Sequence, residues 1–260
     1  MKWRTRVNGR VAIDPGACLR IRVQEIDMKL KPLLALATLS AASGLAAAES
    51  PAKYSTPEEF RLSGVSLVEG RYKGESALEI KMPSSSYQDQ GRERLLDRDF
   101  MAWLPMDFTD GTIEVDVASD LASDAPDYAR GFIGVSFRID AQSRFESIYL
   151  RPTNSQANDQ VRRNHSVQYA GYPDFRFDQL RTESPEQYET YADLDLGRWI
   201  HMKVVVEGAK ARLYLDHAAK PAFIVSDLKY GAGQKGGIGI WIESGTVAHF
   251  KNLKVIHDNP

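Results

Sequence analysis

The sequence predicts an all-β chain folded as two packed antiparallel sheets. Three observations carry that prediction. Short segments alternate apolar and polar residues with a period of two, as half-buried strands do. Gly, Pro, Asn and Asp punctuate those segments as turn signals. No apolar stripe of helical period runs for a useful length after Ala48. About ten to twelve short strands without helices argue for a β-sandwich or jelly roll. Each sheet is expected to show one face to solvent.

The elements follow in order. Ser66–Glu69 and Ala77–Met82 flank a Gly70–Gly74 turn and read as a hairpin. Thr112–Val117 sets Ile113, Val115 and Val117 on one face. Phe132–Ile139 points Ile133, Val135, Phe137 and Ile139 one way and Arg138 the other. Glu146–Arg151 puts Ile148 and Leu150 on one face, Tyr149 and Arg151 on the opposite one. Ser166–Tyr169 is short but regular, with Val167 and Tyr169 inward, Ser166 and Gln168 outward. Trp199–Val206, Ala211–Leu215 and Ala222–Val225 read as consecutive strands. Gly236–Glu243 sets Ile238, Ile240 and Ile242 against Gly237, Gly239 and Trp241, and Val247–Ile256 closes the chain. Thr56–Phe60 and Ser184–Glu189 pair Ser or Thr with Pro and Glu, which suits single helical turns.

The N-terminus reads as a targeting segment. Lys29 and Lys31 follow Met28, Leu33 to Leu45 are mostly apolar or small, and Ala46-Ala47-Ala48 suits cleavage before Glu49. Residues 28–48 are therefore expected to be a signal peptide, with residues 1–27 an over-long extension upstream. The apolar run is shorter than the roughly 20 residues of a membrane span. The expected product is secreted or periplasmic and not inserted in a membrane. Residues 49–59 read as a flexible lead-in and residues 60–256 as one sandwich domain. Of 260 residues, the 212 after position 48 are enough for a sizeable core without staples.

Removing that segment changes the chemistry available. Cys18 is the only cysteine, so the remainder has no thiolate nucleophile or disulfide. Residues 1–48 hold 8 of the 33 Lys+Arg and 3 of the 35 Asp+Glu, leaving 25 against 32, a net of −7. An acidic exported chain is a poor nucleic-acid binder, because such binding needs phosphate neutralisation. The five histidines are scattered without metal-ligand spacing, so no metal or cofactor is expected. A structural calcium held by loop oxygens stays open, since such sites need no tight spacing. Gly231–Gly237 reads as a turn into a strand, and no Gly-x-Ser-x-Gly elbow occurs.

One stretch stands out. Tyr149–His165, YLRPTNSQANDQVRRNH, is dense in arginine, asparagine and glutamine and adds an aspartate and a histidine. A long polar excursion between strands costs conformational entropy, and such loops in compact domains are usually functional or disordered. The density of hydrogen-bonding groups favours function.

The runs FTDGTIEVDV, RGFIGVSFRI, FESIYLRPTN, RRNHSVQY and GGIGIWI…AHFKNLKV together resemble a concanavalin A-like, laminin G-like jelly roll. More narrowly, residues 60–256 resemble the 3-keto-disaccharide hydrolase domain family. That resemblance implies an antiparallel β-sandwich with a sheet facing a saccharide or glycoside. On the strand alternation, Arg138, Tyr149, Arg151, Gln168 and Trp241 would line that face, with Asn154, Arg162, Arg163 and Asn164 from the polar stretch. Planar donors and acceptors hold hydroxyls, and aromatic faces hold C–H surfaces. Arg138 and Arg151 equally suit solvated strand positions or ion pairs, and Trp241 suits inter-sheet packing.

Three residues are candidate acid/base groups: Glu146, His165 and Asp159. Strict alternation turns Glu146 toward the core, where burial would raise its pKa and suit a general acid. The alternative is an exposed strand end. Asp159, three positions before Arg162, is expected to order it by an ion pair. Family 16 glycoside hydrolases share the fold and carry two glutamates on one strand. Here Glu114-Val115-Asp116-Val117 continues with Ala118 and Ser119, so the second is missing. A retaining mechanism needs two carboxyls about 5 Å apart, which this strand does not supply. Three readings remain: a glycoside hydrolase of the 3-keto type, a non-catalytic lectin-like module, and a structural or adhesion domain. A buried carboxylate beside His165 in a deep cleft favours the first, a shallow aromatic groove the second. Sequence leaves the oligomeric state open.

Overall fold

The computed structural model describes residues 52–88 and 100–258. The expected extension and signal, residues 1–48, lie outside the described residues. In chain order the first strands are β1 (Ala52–Tyr54), β2 (Arg61–Ser63), β3 (Ser66–Tyr72), β4 (Glu75–Lys81), β5 (Met101–Phe108) and β6 (Gly111–Leu121). Then come β7 (Ile133–Ile139), β8 (Phe145–Leu150), helices α1 (Pro152–Ser155) and α2 (Gln160–Asn164), β9 (Val167–Tyr172), helix α3 (Phe177–Glu183) and β10 (Glu189–Thr190). The chain finishes with β11 (Ile200–Glu207), β12 (Lys210–Leu215), β13 (Phe223–Val225), β14 (Gly236–Ile242) and β15 (Thr246–His257).

These strands form two antiparallel sheets, a sandwich of the expected class. The first runs β13-β12-β11-β6-β15-β4-β3, with β1 also paired to β15. The second runs β10-β9-β8-β7-β14-β5-β2. One core lies between them. Ile113, Val115 and Val117 of β6 and Met202, Val204 and Val206 of β11 meet Ile133, Val135 and Phe137 of β7. Ile148 and Leu150 of β8 and Ile238, Ile240 and Ile242 of β14 complete the facing layer. Alternation produces this directly, because one face of each strand must be apolar to be buried.

The two outer faces differ. In β11 the buried residues alternate with half-exposed His201, Lys203 and Val205, as expected. In β7, β8, β9 and β14 every residue is buried. The expectation of one solvated face per sheet therefore holds for the first sheet alone. The outer face of the second carries its own apolar cluster: Met101, Ile139, Phe145, Tyr149, Ala170, Tyr172 and Trp241.

Three further features depart from expectation. Ala52–Tyr54, inside the expected flexible lead-in, pairs with β15 in a register that sets Tyr54 opposite Leu253, and a capping box opens the 3₁₀ turn Pro57–Glu59. The helix after β9 is α3, upstream of the Ser184–Glu189 stretch, and is anchored by buried Leu180. A helix with one apolar anchor has no stripe for periodicity to detect. Ile139 turns outward rather than inward. The pairing of β7 with β14 shifts register at Gly237/Ile238, and Arg138 adopts a positive φ of 57°. A bulge of this kind inverts the facing of the residues around it.

Ile148 sits mid-strand in the shared core and is fully buried. Ile148→Ala is expected to cost about 2–5 kcal/mol, read as a lower urea midpoint at unchanged slope.

Candidate functional site

The outer face of the second sheet holds a cleft of about 390 Å³. Beneath it runs a single cross-strand row. Met101, Trp241, Gly134, Tyr149, Gln168 and Glu189 stand side by side across six strands. Gly134 is the gap in that row. A Cβ there would lie 2.3 Å from Tyr149 Cβ and 2.7 Å from Ile148 O. Through the gap the Tyr149 and Trp241 rings approach to 4.8 Å between centroids. Phe132, just before β7, meets Trp241 edge-on at 6.3 Å.

Arg151 follows directly from Tyr149, on the same face, and is 5% exposed. Its Nη1 donates to Gln168 Oε1 at 3.2 Å and His165 O at 3.3 Å, and its Nη2 donates to the Tyr149 hydroxyl at 3.0 Å. The guanidinium also stacks on Phe177 at 5.0 Å and Tyr149 at 5.1 Å. All three hydrogen-bond acceptors are neutral. Among the described residues no carboxylate pairs with it.

The polar excursion is folded, not loose. Asp159 caps α2 by accepting from the Arg162 backbone N–H at 2.7 Å. It therefore orders Arg162 through the main chain, in place of the expected ion pair. The Arg162 Nε donates instead to Asn154 Oδ1 at 3.0 Å, while Asn154 Nδ2 donates to His165 O at 3.1 Å. Asp159, Val161 and Arg162 form one rim of the cleft. Phe177 and Arg181 of α3 form another, and Arg130 and Tyr128 a third.

His165 faces the cleft with its Nε2 3.1 Å from Glu189 Oε1. Arg181 holds the other side of the same carboxylate, Nη2 to Oε2 at 2.7 Å. Burial pushes the imidazole pKa below its ordinary 6.5, and the pull of Glu189 in the other direction is opposed by Arg181 and Arg151. His165 is thus neutral at pH 7. When Nε2–H donates to Glu189, Nδ1 is the basic nitrogen. Because the folded pKa is the lower one, acidification through the ordinary histidine range protonates the unfolded chain first and weakens the fold.

The structure gathers Tyr149, Arg151, Asn154, Asp159, Arg162, His165 and Trp241 into this cleft, all expected site residues. It places five others elsewhere. Arg138, expected on the sugar-facing side, is turned inward by the bulge and fully buried. It donates to Thr109 O (2.9 Å), Gly231 O (2.9 Å), Gly208 O (2.7 Å) and Asp110 Oδ1 (3.0 Å), holding loops together. Glu146 points to the sandwich interior as alternation required and is fully buried. It accepts from Tyr230 N at 2.9 Å and from the Tyr169 hydroxyl. Burial raises its pKa against those hydrogen bonds, but it lies outside the cleft. Gln168 braces Arg151 from below, with its Nε2 on Tyr188 O at 2.9 Å. Arg163 leaves the cleft for the Tyr191 hydroxyl at 2.9 Å, and Asn164 accepts from Gln160 Nε2 at 2.8 Å on the surface.

Sequence reading missed Arg130, Phe132, Phe177, Arg181, Glu189 and Glu243. Phe177 and Arg181 were detectable as an i,i+4 pair, with guanidinium over ring at 5.5 Å. Glu189 had no local signal, since His165 lies on the far side of β9 and Arg181 on α3. Glu114 and Asp116 sit on the other sheet, where Asp116 accepts from Asn252 at 2.7 Å and contacts His201 Nδ1 at 2.7 Å. They are strand-face residues there. Among the described residues no group of three His, Cys, Asp or Glu is arranged to hold a metal ion.

No family model and no curated protein matches this chain. Solved structures do. The carbohydrate binding module CBM66 from Bacillus subtilis is 13% identical, covering 74% of this chain and 95% of that one, at a TM-score of 0.43. A protein of unknown function with a galectin-like fold, also from Bacillus subtilis, is 12% identical over 80% and 98%, at 0.49. A putative glycosyl hydrolase from Parabacteroides distasonis is 10% identical over 79% and 91%, at 0.46. The site residues above are placed by the geometry of this chain alone.

Gly134→Ala is expected to force Tyr149 away from Trp241 and destabilise the fold by about 1–3 kcal/mol. Equilibrium denaturation measures this. An unchanged midpoint would mean that the row has slack.

Proposed function

We propose that this chain is an exported carbohydrate-active protein and that the cleft over Tyr149, Arg151 and Trp241 holds a saccharide. One observation carries the reading: planar hydrogen-bonding groups and aromatic rings, from segments far apart in sequence, converge on one concave site. Arg151, Asn154, Arg162 and His165 supply donors and acceptors, and Phe132, Tyr149, Phe177 and Trp241 supply ring surface. The volume, about 390 Å³, falls in the usual range for small-molecule sites. Export is supported by the apolar segment before Ala46–Ala48.

The His165–Glu189 contact favours catalysis over simple binding. A buried carboxylate beside a neutral imidazole is the arrangement of an oriented general base. Among the described residues the cleft has no Glu–Glu pair on one strand, so the retaining mechanism is not favoured. A 3-keto-glycoside needs less. Its carbonyl acidifies the C2 proton, so one base suffices. His165 takes that proton, the C1–O bond breaks, and the returned proton leaves with the aglycone. Water then adds across the new double bond. Asp159, already engaged as a helix cap, is left a binding role at the rim. This reading agrees with the resemblance of residues 60–256 to the 3-keto-disaccharide hydrolase family.

A glycan array with a 3-keto-glycoside hydrolysis assay tests both parts. His165→Ala is expected to retain binding within a few fold and to lower turnover by about 10²–10⁴. Wild-type turnover is expected to persist through the ordinary histidine range and to fall only at lower pH, as His165 protonates at its depressed pKa. Binding without turnover would leave a lectin-like module; no saccharide binding at all would remove the reading.

A further inference from the structure

Among the described residues, three guanidiniums at the cleft have no carboxylate paired with them. Arg151 donates only to a carbonyl, an amide oxygen and a phenol. Arg162 donates to the Asn154 amide oxygen. Arg130 donates to the backbone carbonyls of Asp127 and Ala129, at 2.8 and 2.7 Å. Among the described residues none of the three is in an ion pair. They also feel one another: after burial, Arg162 and then Arg151 are the charges that depress the Arg130 pKa. Arg181, the fourth cleft arginine, differs, because Glu189 compensates it.

The cleft also has carboxylates, Asp159 and Glu243, but neither is ion-paired with these three arginines. Asp159 caps α2, and Glu243 accepts from the Ser244 hydroxyl at 2.6 Å and from the Ser244 N–H. A cation as buried as Arg151 is costly to keep without a counter-charge. Arginine offers five donors in a planar fork, and Arg151 has used two of its three nitrogens on neutral partners. The chain as a whole carries a net charge of −2, so this local excess of positive charge is not a general property of its surface.

We propose that the saccharide taken by this cleft is acidic, bearing a carboxylate or sulfate that binds between Arg130, Arg151 and Arg162. The inference rests on the saccharide reading of the cleft and adds the substrate class. A uronate carboxylate and a sulfate ester both offer oxygens matched to the arginine fork. The remaining groups, His165, Asn154 and the rings, then address the neutral part of the sugar.

Calorimetric titration of the full chain with three probes tests this: a galacturonate oligomer, its methyl ester, and a sulfated galactan oligomer. The acid or the sulfate is expected to bind at least about tenfold more tightly than the neutral ester, and more weakly at high salt. Arg162→Gln, at an exposed position, is expected to weaken the acid about tenfold more than the ester. Arg151→Gln is expected to do the same. Arg212→Gln, on the other sheet beside Glu207, serves as the unchanged control. Preference for the sulfated probe supports the anion site and names sulfate as its source. Equal binding of acid and ester, or full retention by Arg162→Gln, overturns the acidic class while leaving a neutral saccharide site. No binding of any of the three, with neutral glycans also unbound, overturns both readings.

Discussion

Gly134 lets the Tyr149 and Trp241 side chains meet across β7, and the cleft is built on the cross-strand row they share. With any side chain at this position Tyr149 would be displaced, because an added Cβ lies 2.3 Å from its Cβ. The consequence is not local. Tyr149 accepts from Arg151, Arg151 bonds Gln168, and Gln168 stands beside Glu189, which holds His165. A two-residue strand period places all these groups on one face while Ile148, Leu150 and Val167 fill the core on the other. Core and cleft are therefore two sides of the same alternation, and neither can shift register without losing both.

The buried charge at Arg151 sets the energetic character of the site. A core built for stability alone would place a neutral side chain there. Here the guanidinium is held by three neutral acceptors and two ring faces. That arrangement orients the group, and among the described residues no carboxylate answers its charge. His165 is treated differently. Its neighbours include both signs, and burial decides that it stays neutral at pH 7. A fixed cation beside a neutral base is a division of labour set by environment, since both lie within one short polar stretch.

Much of this was legible from alternation. The inward sets of β8 and β9, that of β7 as far as Phe137, and the outward placement of Tyr149, Arg151 and Trp241 followed from period-two patterning alone, because burial punishes any other arrangement. So did the inward turn of Glu146, although not its distance from the cleft. The failures have specific causes. Arg138 was misplaced by a bulge that only the pairing of β7 with β14 reveals. Residues 152–164 include two short helices, the second capped by Asp159, which a composition reading takes as an open loop. Glu189 and Arg181 reach His165 through tertiary contact, and no local spacing announces that.

The proposed saccharide site is the outer face of the second sheet, over Arg151. A crystal structure of the full chain with a bound oligosaccharide measures this directly. A sugar ring is expected in the cleft, with its oxygens within hydrogen-bond distance of Arg151, Asn154 and Arg162. A sugar seated on the first sheet, or anywhere that leaves the Arg151 guanidinium untouched, would contradict it.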